Sequence, residues 1–232
     1  MRILLTALIM CISLVGNAQR FADDWPQIFK SYLGKQYAIQ VNYTLYANRL
    51  LSSAVQSESS EVSVSGDNYF YRSGQSEVLM NKEHIVILDR KARNIMIGNR
   101  TDDGSFSSIA KQNDYMQKMM DVLSQHSFNF EWVDKNKGIA RYTCKDKVAG
   151  YEQISFDFMV NSKKLLSAWY FFKDPVVTGK GSPPQKPVVK IDFVPSAVKP
   201  DFNLNRIVYR RQNKFVPASA FKGYKLIDNT PH

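Results

Sequence analysis

The chain has 232 residues, a formal net charge of +10 at pH 7, 12% aromatic residues and only two cysteines, Cys11 and Cys144. This length is enough to bury one large core. A basic surface attracts phosphate-bearing partners in general, which include anionic lipid headgroups and lipopolysaccharide as well as nucleic acid. The lysines are scattered along the chain, which favours a solvated basic surface over a dedicated binding patch.

Residues 1–18 have the three parts of a secretory signal: Arg2, an apolar run, and small residues that end at Ala18. The apolar run is too short to span a bilayer. We therefore expect cleavage after Ala18 and a periplasmic protein of residues 19–232 that forms a single domain. A lipoprotein signal is the alternative, but Cys11 follows bulky residues where small ones are needed. Export argues against a nucleic-acid partner, and no later stretch is apolar enough for a transmembrane segment.

The stretch from Val62 to Ile97 organises the fold. Short β-branched and aromatic runs alternate there with turn-formers such as Gly66 and Gly74. This pattern predicts successive strands joined by tight turns, an antiparallel meander at the centre of one sheet. Ile85 to Leu88 are apolar on both strand faces, so we expect this strand to be covered on both sides.

Two short amphipathic helices are predicted to cover the sheet. The first begins at Asp23, which with Asp24 supplies the N-cap, and its apolar residues recur at helical spacing from Trp25 to Leu33. The second runs from Asp114 to Leu123 and carries a methionine stripe. Such stripes are usually core filler, but methionine also suits surfaces that accept varied apolar ligands.

The remaining strands follow from period-two alternation. We predict a strand over 37–45, an exposed edge or loop over the serine-rich residues 52–60, two hairpins between Phe128 and Phe172, and a strand over 188–194. Residues 173–187 are rich in proline and glycine and are predicted to be a long loop within one sheet. The tail ends in a candidate closing strand over 221–228.

The sequence contains no recognisable catalytic or metal motif. His84 and His126 lie far apart, and neither has a metal-ligand neighbour two to four positions away, so a zinc site is not expected. Cys144 is interpreted as a buried structural thiol. No nucleophile elbow, Walker sequence or Gly-rich dinucleotide motif occurs. We expect a protein that is not an enzyme and needs no cofactor.

The order of these segments resembles that of the outer-membrane lipoprotein carrier LolA and its relatives. The resemblance is carried by Tyr71-Arg72, by the segment from Glu77 to Asp89, and by Phe221-Lys222-Gly223-Tyr224 followed by Leu226-Ile227-Asp228. The chain departs from the family in lacking a proline near Arg72, in its Pro-rich loop and in its basic charge. These departures suggest a relative with a different cargo or partner.

The resemblance implies a mainly β (α+β) fold, in which a single, strongly curved antiparallel sheet forms an incomplete β-barrel covered by short amphipathic helices. Arg72 would lie at the entrance of an apolar cavity that shields acyl chains. The residues expected to form this ligand-binding cavity are Phe29, Tyr37, Ile39, Val41, Tyr43, Tyr71, Arg72, Ile85, Ile87, Met116, Met119, Met120, Phe128, Phe130, Phe156 and Phe158.

Three functions follow from these observations. The first is a periplasmic carrier or sensor that binds the acyl chains of lipoproteins or lipids, with inner- or outer-membrane envelope proteins as further partners. The second is a solid-cored envelope protein that engages a secretion or assembly machine through a sheet edge or the 173–187 loop. The third is a hydrolase of envelope lipids. The sequence alone does not distinguish a hollow core from a solid one.

Overall fold

The structure is a computed structural model that describes residues 21–28, 36–100, 121–123, 125–144, 146, 148, 150–177, 183–196 and 200–230. The proposed signal sequence 1–18 lies outside the described residues. Within them the fold is mainly β, as predicted, with few helical residues. No helix of this part of the chain combines the length and the apolar character that crossing a membrane requires.

The described residues contain fourteen strands, and most coincide with the alternating segments of the sequence. Their bounds are β1 Gln36–Tyr46, β2 Ala54–Ser65, β3 Asn68–Ser73, β4 Ser76–Met80, β5 His84–Asp89, β6 Asn94–Asn99, β7 Asn129–Asp134, β8 Ile139–Cys144, β9 Tyr151–Met159, β10 Lys164–Phe172, β11 Val188–Pro195, β12 Val208–Arg211, β13 Lys214–Pro217 and β14 Lys225–Asp228. Short 3₁₀ turns at Leu204–Arg206 and Ser219–Phe221 precede β12 and β14.

Twelve of the described strands form one sheet in the order β14-β6-β5-β4-β3-β2-β1-β11-β10-β9-β8-β7, and β12 and β13 form a separate hairpin. Consecutive strands pair antiparallel from β2 to β6 and from β7 to β11. The predicted closing strand, β14, is present but pairs parallel to β6.

The structure of the serine-rich segment differs from the sequence prediction. We predicted a loop or an exposed edge over 52–60, but from Ala54 onward the chain belongs to β2, which lies between β1 and β3 in the sheet. The serines fit there because their hydroxyls take part in sheet hydrogen bonds. Ser59 Oγ accepts from Gln40 Nε2, and Ser60 Oγ donates to the carbonyl of Val41.

The described residues form two compact units, and a single domain stays a prediction. The first unit contains residues 21–28, 42–57 and the described part of 121–193, and the second contains residues 36–41, 58–100 and the described part of 194–230. The second unit holds the meander β3 to β6 with its C-terminal covering segment. The first unit holds β7 to β10 with a helix packed on them.

That helix, α1 (residues 21–28), begins earlier than predicted. Phe21 is already helical, and Asp24 is a buried residue inside the helix where we had placed a cap. The reason is that the apolar stripe extends one turn back. Phe21 lies four residues before Trp25, and their rings stack at 4.9 Å between centroids. Of the predicted second helix, only residues 121–123 lie among those described, and they are helical.

Candidate functional site

The two faces of the meander differ in burial. Because side chains alternate along a strand, Phe70, Leu79, Leu88 and Ile95 share one face, and all four are essentially inaccessible to solvent. Residues 202–224 of the same unit cover this face. They contribute Phe202, Leu204, Ile207, Val208, Phe215, Ala218, Phe221 and Tyr224 to one cluster.

The opposite face of the meander is apolar but less covered. Tyr71 is opposite Val78 on the neighbouring strand, Val78 is opposite Ile87, and Ile87 is opposite Met96. These four side chains are half-buried. Together with the half-buried Tyr69 and the buried Met80 and Ile85, which are 6% and 0% exposed, they define what we call the half-buried face. It contains three of the predicted cavity residues, Tyr71, Ile85 and Ile87.

Strand β1 adds to this face. The amide of Gln40 reaches Ser59, which lies on the same side of β2 as Glu61 and the covered face. By alternation, Tyr37, Ile39 and Val41 point to the side of the half-buried face. All three are half-buried, and burial raises the pKa of Tyr37 above its ordinary value. Tyr43, further along β1, is also half-buried and belongs to the first unit.

Arg72 lies on the other face of the sheet from its neighbour Tyr71, so these two predicted cavity residues do not share a surface. Its Nε lies 3.5 Å from Oε2 of Glu77, directly opposite on β4. Arg90 lies equally close to the same oxygen, and Arg206 donates to Oε1. Glu77 is only 1% exposed, so a buried carboxylate is surrounded by three guanidinium groups.

A pocket of about 150 Å³ adjoins this charge cluster within the second unit. Arg72, Arg206 and the ring of Phe70 line it, together with Glu61 and Asp201. Both guanidinium carbons lie over the Phe70 ring, 5.1 Å and 5.9 Å from its centroid. Two cationic and two anionic side chains therefore line the pocket, unlike an acyl-chain cavity.

The first unit contains the other described cavity residues in a tightly packed aromatic cluster. Phe128, Phe156 and Phe158 are buried, and Phe130 is half-buried. Helix α1 fills the space above these strands. The Phe21 ring stacks on Phe128 with 3.7 Å between the ring centroids. Among the described residues, α1 covers this side of the first unit, so a ligand that binds the aromatic cluster would have to displace α1.

A buried polar contact fixes α1 to the sheet. The Tyr142 hydroxyl donates a 2.6 Å hydrogen bond to Oδ2 of Asp24, and Lys163 Nζ donates to Oδ1 at 2.7 Å. Asp24 is largely buried, and its charge is compensated by Lys163. The contact therefore combines an ion pair with a hydrogen bond from a neutral hydroxyl on one helical carboxylate.

The opposite side of the same strands carries a polar network centred on Asp157. Arg141 binds this carboxylate through two nitrogens at 2.5 and 2.9 Å, and Ser167 and Trp169 also donate to it. The hydrogen bond to Asp157 raises the pKa of Arg141. Arg141 and Ser167 lie directly opposite Asp157 on β8 and β10, and Trp169 lies two positions along β10, which indicates a structural cross-strand ladder rather than an acid-base site.

The fold also brings together His126, Cys144 and Asp146, whose possible ligand atoms all lie within 4.8 Å of one another. His126 Nδ1 lies 3.8 Å from Oδ2 of Asp146, and that oxygen accepts a hydrogen bond from Ser127 N. Burial raises the pKa of the Cys144 thiol, and a protonated thiol is a poor nucleophile. The cluster therefore does not favour thiol catalysis.

Sequence reasoning missed this cluster because His126 lies far from Cys144 and Asp146 in the chain. The pairing of β7 with β8 brings them together, since Asn129 is opposite Thr143 and His126 precedes β7 while Asp146 follows β8. Four of the predicted cavity residues, Phe29, Met116, Met119 and Met120, lie outside the described residues.

No family model and no curated protein matches this sequence. Among similar solved structures is an uncharacterized conserved protein from Thermus thermophilus, with 9% identity and a TM-score of 0.43, covering 89% of this chain and 98% of that one. A LolA superfamily protein from Nitrosomonas europaea has 12% identity and a TM-score of 0.27, covering 76% of this chain and 91% of that one.

A third similar structure is a putative outer membrane lipoprotein-sorting protein domain from Vibrio parahaemolyticus. It has 13% identity and a TM-score of 0.28, covering 82% of this chain and 98% of that one. All three TM-scores lie below 0.5. The chain is similar to solved structures described as a LolA superfamily protein and a putative outer membrane lipoprotein-sorting protein domain.

Proposed function

We propose that this protein is a non-enzymatic periplasmic carrier or sensor that binds the acyl chain of a lipoprotein or lipid against the half-buried face. The incomplete barrel implied by the sequence resemblance is part of this proposal, with the half-buried face lining its cavity. The periplasmic location rests on the signal-like residues 1–18.

One observation carries the proposal: the meander has one sealed face and one apolar face that keeps solvent-accessible surface. Leu88 is fully buried, whereas its neighbour Ile87 remains half-buried on the other side. The sealed face gives the strands a rigid core. The seven side chains that define the half-buried face are tyrosine, valine, isoleucine and methionine, which suits binding of an apolar ligand.

The energy of such binding comes from apolar burial. Each CH₂ group removed from water contributes about 0.8 kcal/mol, so about ten buried groups contribute about 8 kcal/mol before the cost of association. A net free energy of about 8 kcal/mol corresponds to a dissociation constant of about 1 µM, so ten buried groups bind more weakly than this and a longer acyl chain is needed to offset the cost of association. Release would then need a second apolar acceptor, which fits a carrier that hands its cargo on.

A displacement assay tests the proposal. An environment-sensitive apolar dye should gain fluorescence on the purified protein and lose it when palmitate or a diacylated lipopeptide is added. Ile87→Glu and Val78→Glu place a charge on the half-buried face and should lower dye affinity at least about tenfold, since a buried unpaired charge is costly. Val133→Glu, at an exposed position on β7, is the matched control and should bind normally.

Failure of the dye to bind wild-type protein would overturn the proposal, as would equal binding by wild type and Ile87→Glu. Native mass spectrometry of protein purified gently from its own cell gives an independent answer. A co-purifying acylated species would identify the cargo class. A clean apo mass together with no dye binding would mean that the half-buried face is filled within the protein.

A second function is favoured by strand β7, which ends the described sheet and exposes two apolar side chains. Trp132 is 45% exposed and Val133 is 47% exposed. An edge strand with apolar side chains can pair with a partner strand. In this alternative the protein engages an envelope assembly or secretion machine. A photo-crosslinker at position 133 that captures a defined envelope protein would support it, with position 91 as the exposed control site.

A further inference from the structure

We propose that His126, Cys144 and Asp146 form a binding site for a zinc-class divalent cation, with water or an external ligand at the fourth position. The site lies within the first unit and does not depend on the acyl-binding proposal. Imidazole nitrogen, thiolate sulfur and carboxylate oxygen together suit zinc and its close neighbours rather than magnesium or calcium, which prefer oxygen ligands alone.

The strand ladder explains why these residues converge. Strands β7 and β8 pair antiparallel with Asn129 opposite Thr143. His126 and Asp146 lie just beyond the ends of these strands, where Ser127 N donates to Oδ2 of Asp146 and joins the two segments. Cys144 is the last residue of β8, and its sulfur lies within 4.8 Å of the possible ligand atoms of His126 and Asp146. All three side chains therefore meet at one end of this hairpin.

The distances are close to those of a tetrahedral site. Zinc bond lengths of about 2.0 to 2.3 Å place the ligand atoms about 3.3 to 3.6 Å apart. His126 Nδ1 and Asp146 Oδ2 are already 3.8 Å apart, and all three ligand atoms lie within 4.8 Å of one another. Closing the site requires side-chain movements of about 1 Å, within the reach of the rotamers of His126 and Asp146.

The local backbone holds the ligands in place before any cation binds. His126 N donates to the carbonyl of Leu123, which fixes the turn that carries the imidazole. Ser127 N donates to Oδ2 of Asp146 and so joins the two sides of the hairpin end. Cys144 is the last residue of β8 and is fully buried. Cation binding therefore requires little movement of the backbone that carries the ligand residues.

Burial and access also fit. The Cys144 side chain is buried, while the His126 side chain is 26% exposed and that of Asp146 is 54% exposed. The thiol thus forms the floor of the site, and the two other ligands form its solvent side. A cation can enter from solvent and keep one water molecule, as zinc does where only three protein ligands are present.

The test uses cobalt(II) as a spectroscopic substitute for zinc. The protein is purified without a histidine tag in a Cys11→Ser background, so that Cys144 is the only cysteine whether or not residues 1–18 are retained. Adding Co²⁺ should give a near-ultraviolet thiolate-to-cobalt absorption and intense visible bands of four-coordinate metal. Zn²⁺ should abolish these bands and raise the melting temperature, because a ligand that binds only the folded state stabilises it.

Three variants locate the site. Cys144→Ser should remove the ultraviolet band, and His126→Ala and Asp146→Asn should each weaken cobalt binding at least about tenfold, or about 1.4 kcal/mol. Asp146→Asn changes an exposed side chain, so it reports on the site even if substitution of the buried cysteine prevents folding. The matched control is His84→Ala, because His84 Nδ1 also lies 3.8 Å from a carboxylate, that of Glu83, but has no thiol beside it.

The proposal is overturned if wild-type protein gives no thiolate-to-cobalt band at concentrations well above a micromolar affinity. It is also overturned if Asp146→Asn binds cobalt as tightly as wild type, or if His84→Ala loses binding to the same extent as His126→Ala. A band that disappears with Cys144→Ser and persists with His84→Ala, together with stabilisation by Zn²⁺, would establish the site.

Discussion

Tyr142 donates a 2.6 Å hydrogen bond to Asp24, which links the buried face of strand β8 to helix α1. Lys163 holds the other oxygen of the same carboxylate, so Asp24 is bound from strand β8 and from the turn between β9 and β10. Helix α1 is described over residues 21–28, and most of the stability of helices in proteins comes from tertiary packing. The contact therefore determines how firmly α1 stays on the sheet.

Tyr142→Phe should lower the free energy of unfolding by about 1.5 to 3 kcal/mol, because it removes one hydrogen bond to a buried charged acceptor. It should also speed amide exchange in residues 21–28. Urea denaturation and hydrogen exchange measured by mass spectrometry check these two effects. Tyr209→Phe removes a hydroxyl from an exposed tyrosine and is the control. Equal stability of Tyr142→Phe and wild type would show that the contact does not anchor the helix.

The charge cluster around Glu77 gives a second prediction. Arg206 hydrogen-bonds to this buried carboxylate, and the more exposed Arg90 lies 3.5 Å from it. Arg206→Met should cost about 3 kcal/mol of stability, since removing one partner of a buried pair leaves the other under-compensated. Arg90→Met should cost less than about 1 kcal/mol. Chemical denaturation of both variants tests the difference, and similar losses would contradict it.

Adjacent residues on β5 should separate stability from ligand binding. Leu88→Ala, in the fully buried cluster, should cost about 2 to 5 kcal/mol, because it leaves a cavity. Ile87→Ala, on the half-buried face, should cost less stability but weaken binding of the apolar dye. Denaturation and dye titration on the same two variants make the comparison. If Leu88→Ala weakened dye binding more than Ile87→Ala while still folded, the half-buried face would not be the ligand surface.

A pH dependence follows from His84, which packs edge-on against the Phe215 ring at 5.2 Å. Burial lowers its pKa below the ordinary value of 6.5, and Glu83, Arg210 and Asp228 act on it with smaller and partly opposed effects. The unfolded chain therefore takes up a proton at a higher pH than the folded protein. Stability should fall as the pH drops below 6.5 and level off below the folded-state pKa.

His84→Gln should remove this part of the pH dependence. We compare the melting temperatures of wild type and variant from pH 8 to pH 5. Their difference should be constant above pH 7.5. Below pH 6.5 the melting temperature of wild type should fall more than that of His84→Gln. A difference that is constant over the whole range would mean that His84 titrates normally in the folded protein.

The sequence predicted the strands well where apolar alternation and turn residues agreed. The meander from β3 to β6 and the hairpins from β7 to β10 were recognised because Gly74 and the Asn161–Lys163 turn interrupt clear alternating runs. The strand β2 was not predicted over its full length, because serines are typical of loops. In the structure, Ser59 and Ser60 form side-chain hydrogen bonds to β1. The start of α1 was misplaced because Asp24 is typical of a cap in sequence but is neutralised in the interior by Lys163.

The candidate sites were harder to predict, because they depend on which residues lie opposite each other. Alternation predicted that Tyr71 and Ile87 are apolar sheet residues, but it also places Arg72 on the other face, where its partner Glu77 comes from the next strand. The His126, Cys144 and Asp146 cluster required the register of two strands. The sequence pattern alone predicts that a segment forms a strand and which of its residues share a face. Which strand pairs with it, and in which register, depends on the fold.

The covering of the meander by residues 202–224 has a consequence for biosynthesis. The ribosome makes Leu79, Leu88 and Ile95 more than one hundred residues before Phe221, which buries them. A nascent chain that has just completed β6 therefore carries an apolar sheet surface that no later segment yet shields. Premature termination near residue 200 should yield an aggregation-prone product, and full-length chains should need a holding chaperone until translation reaches the covering segment.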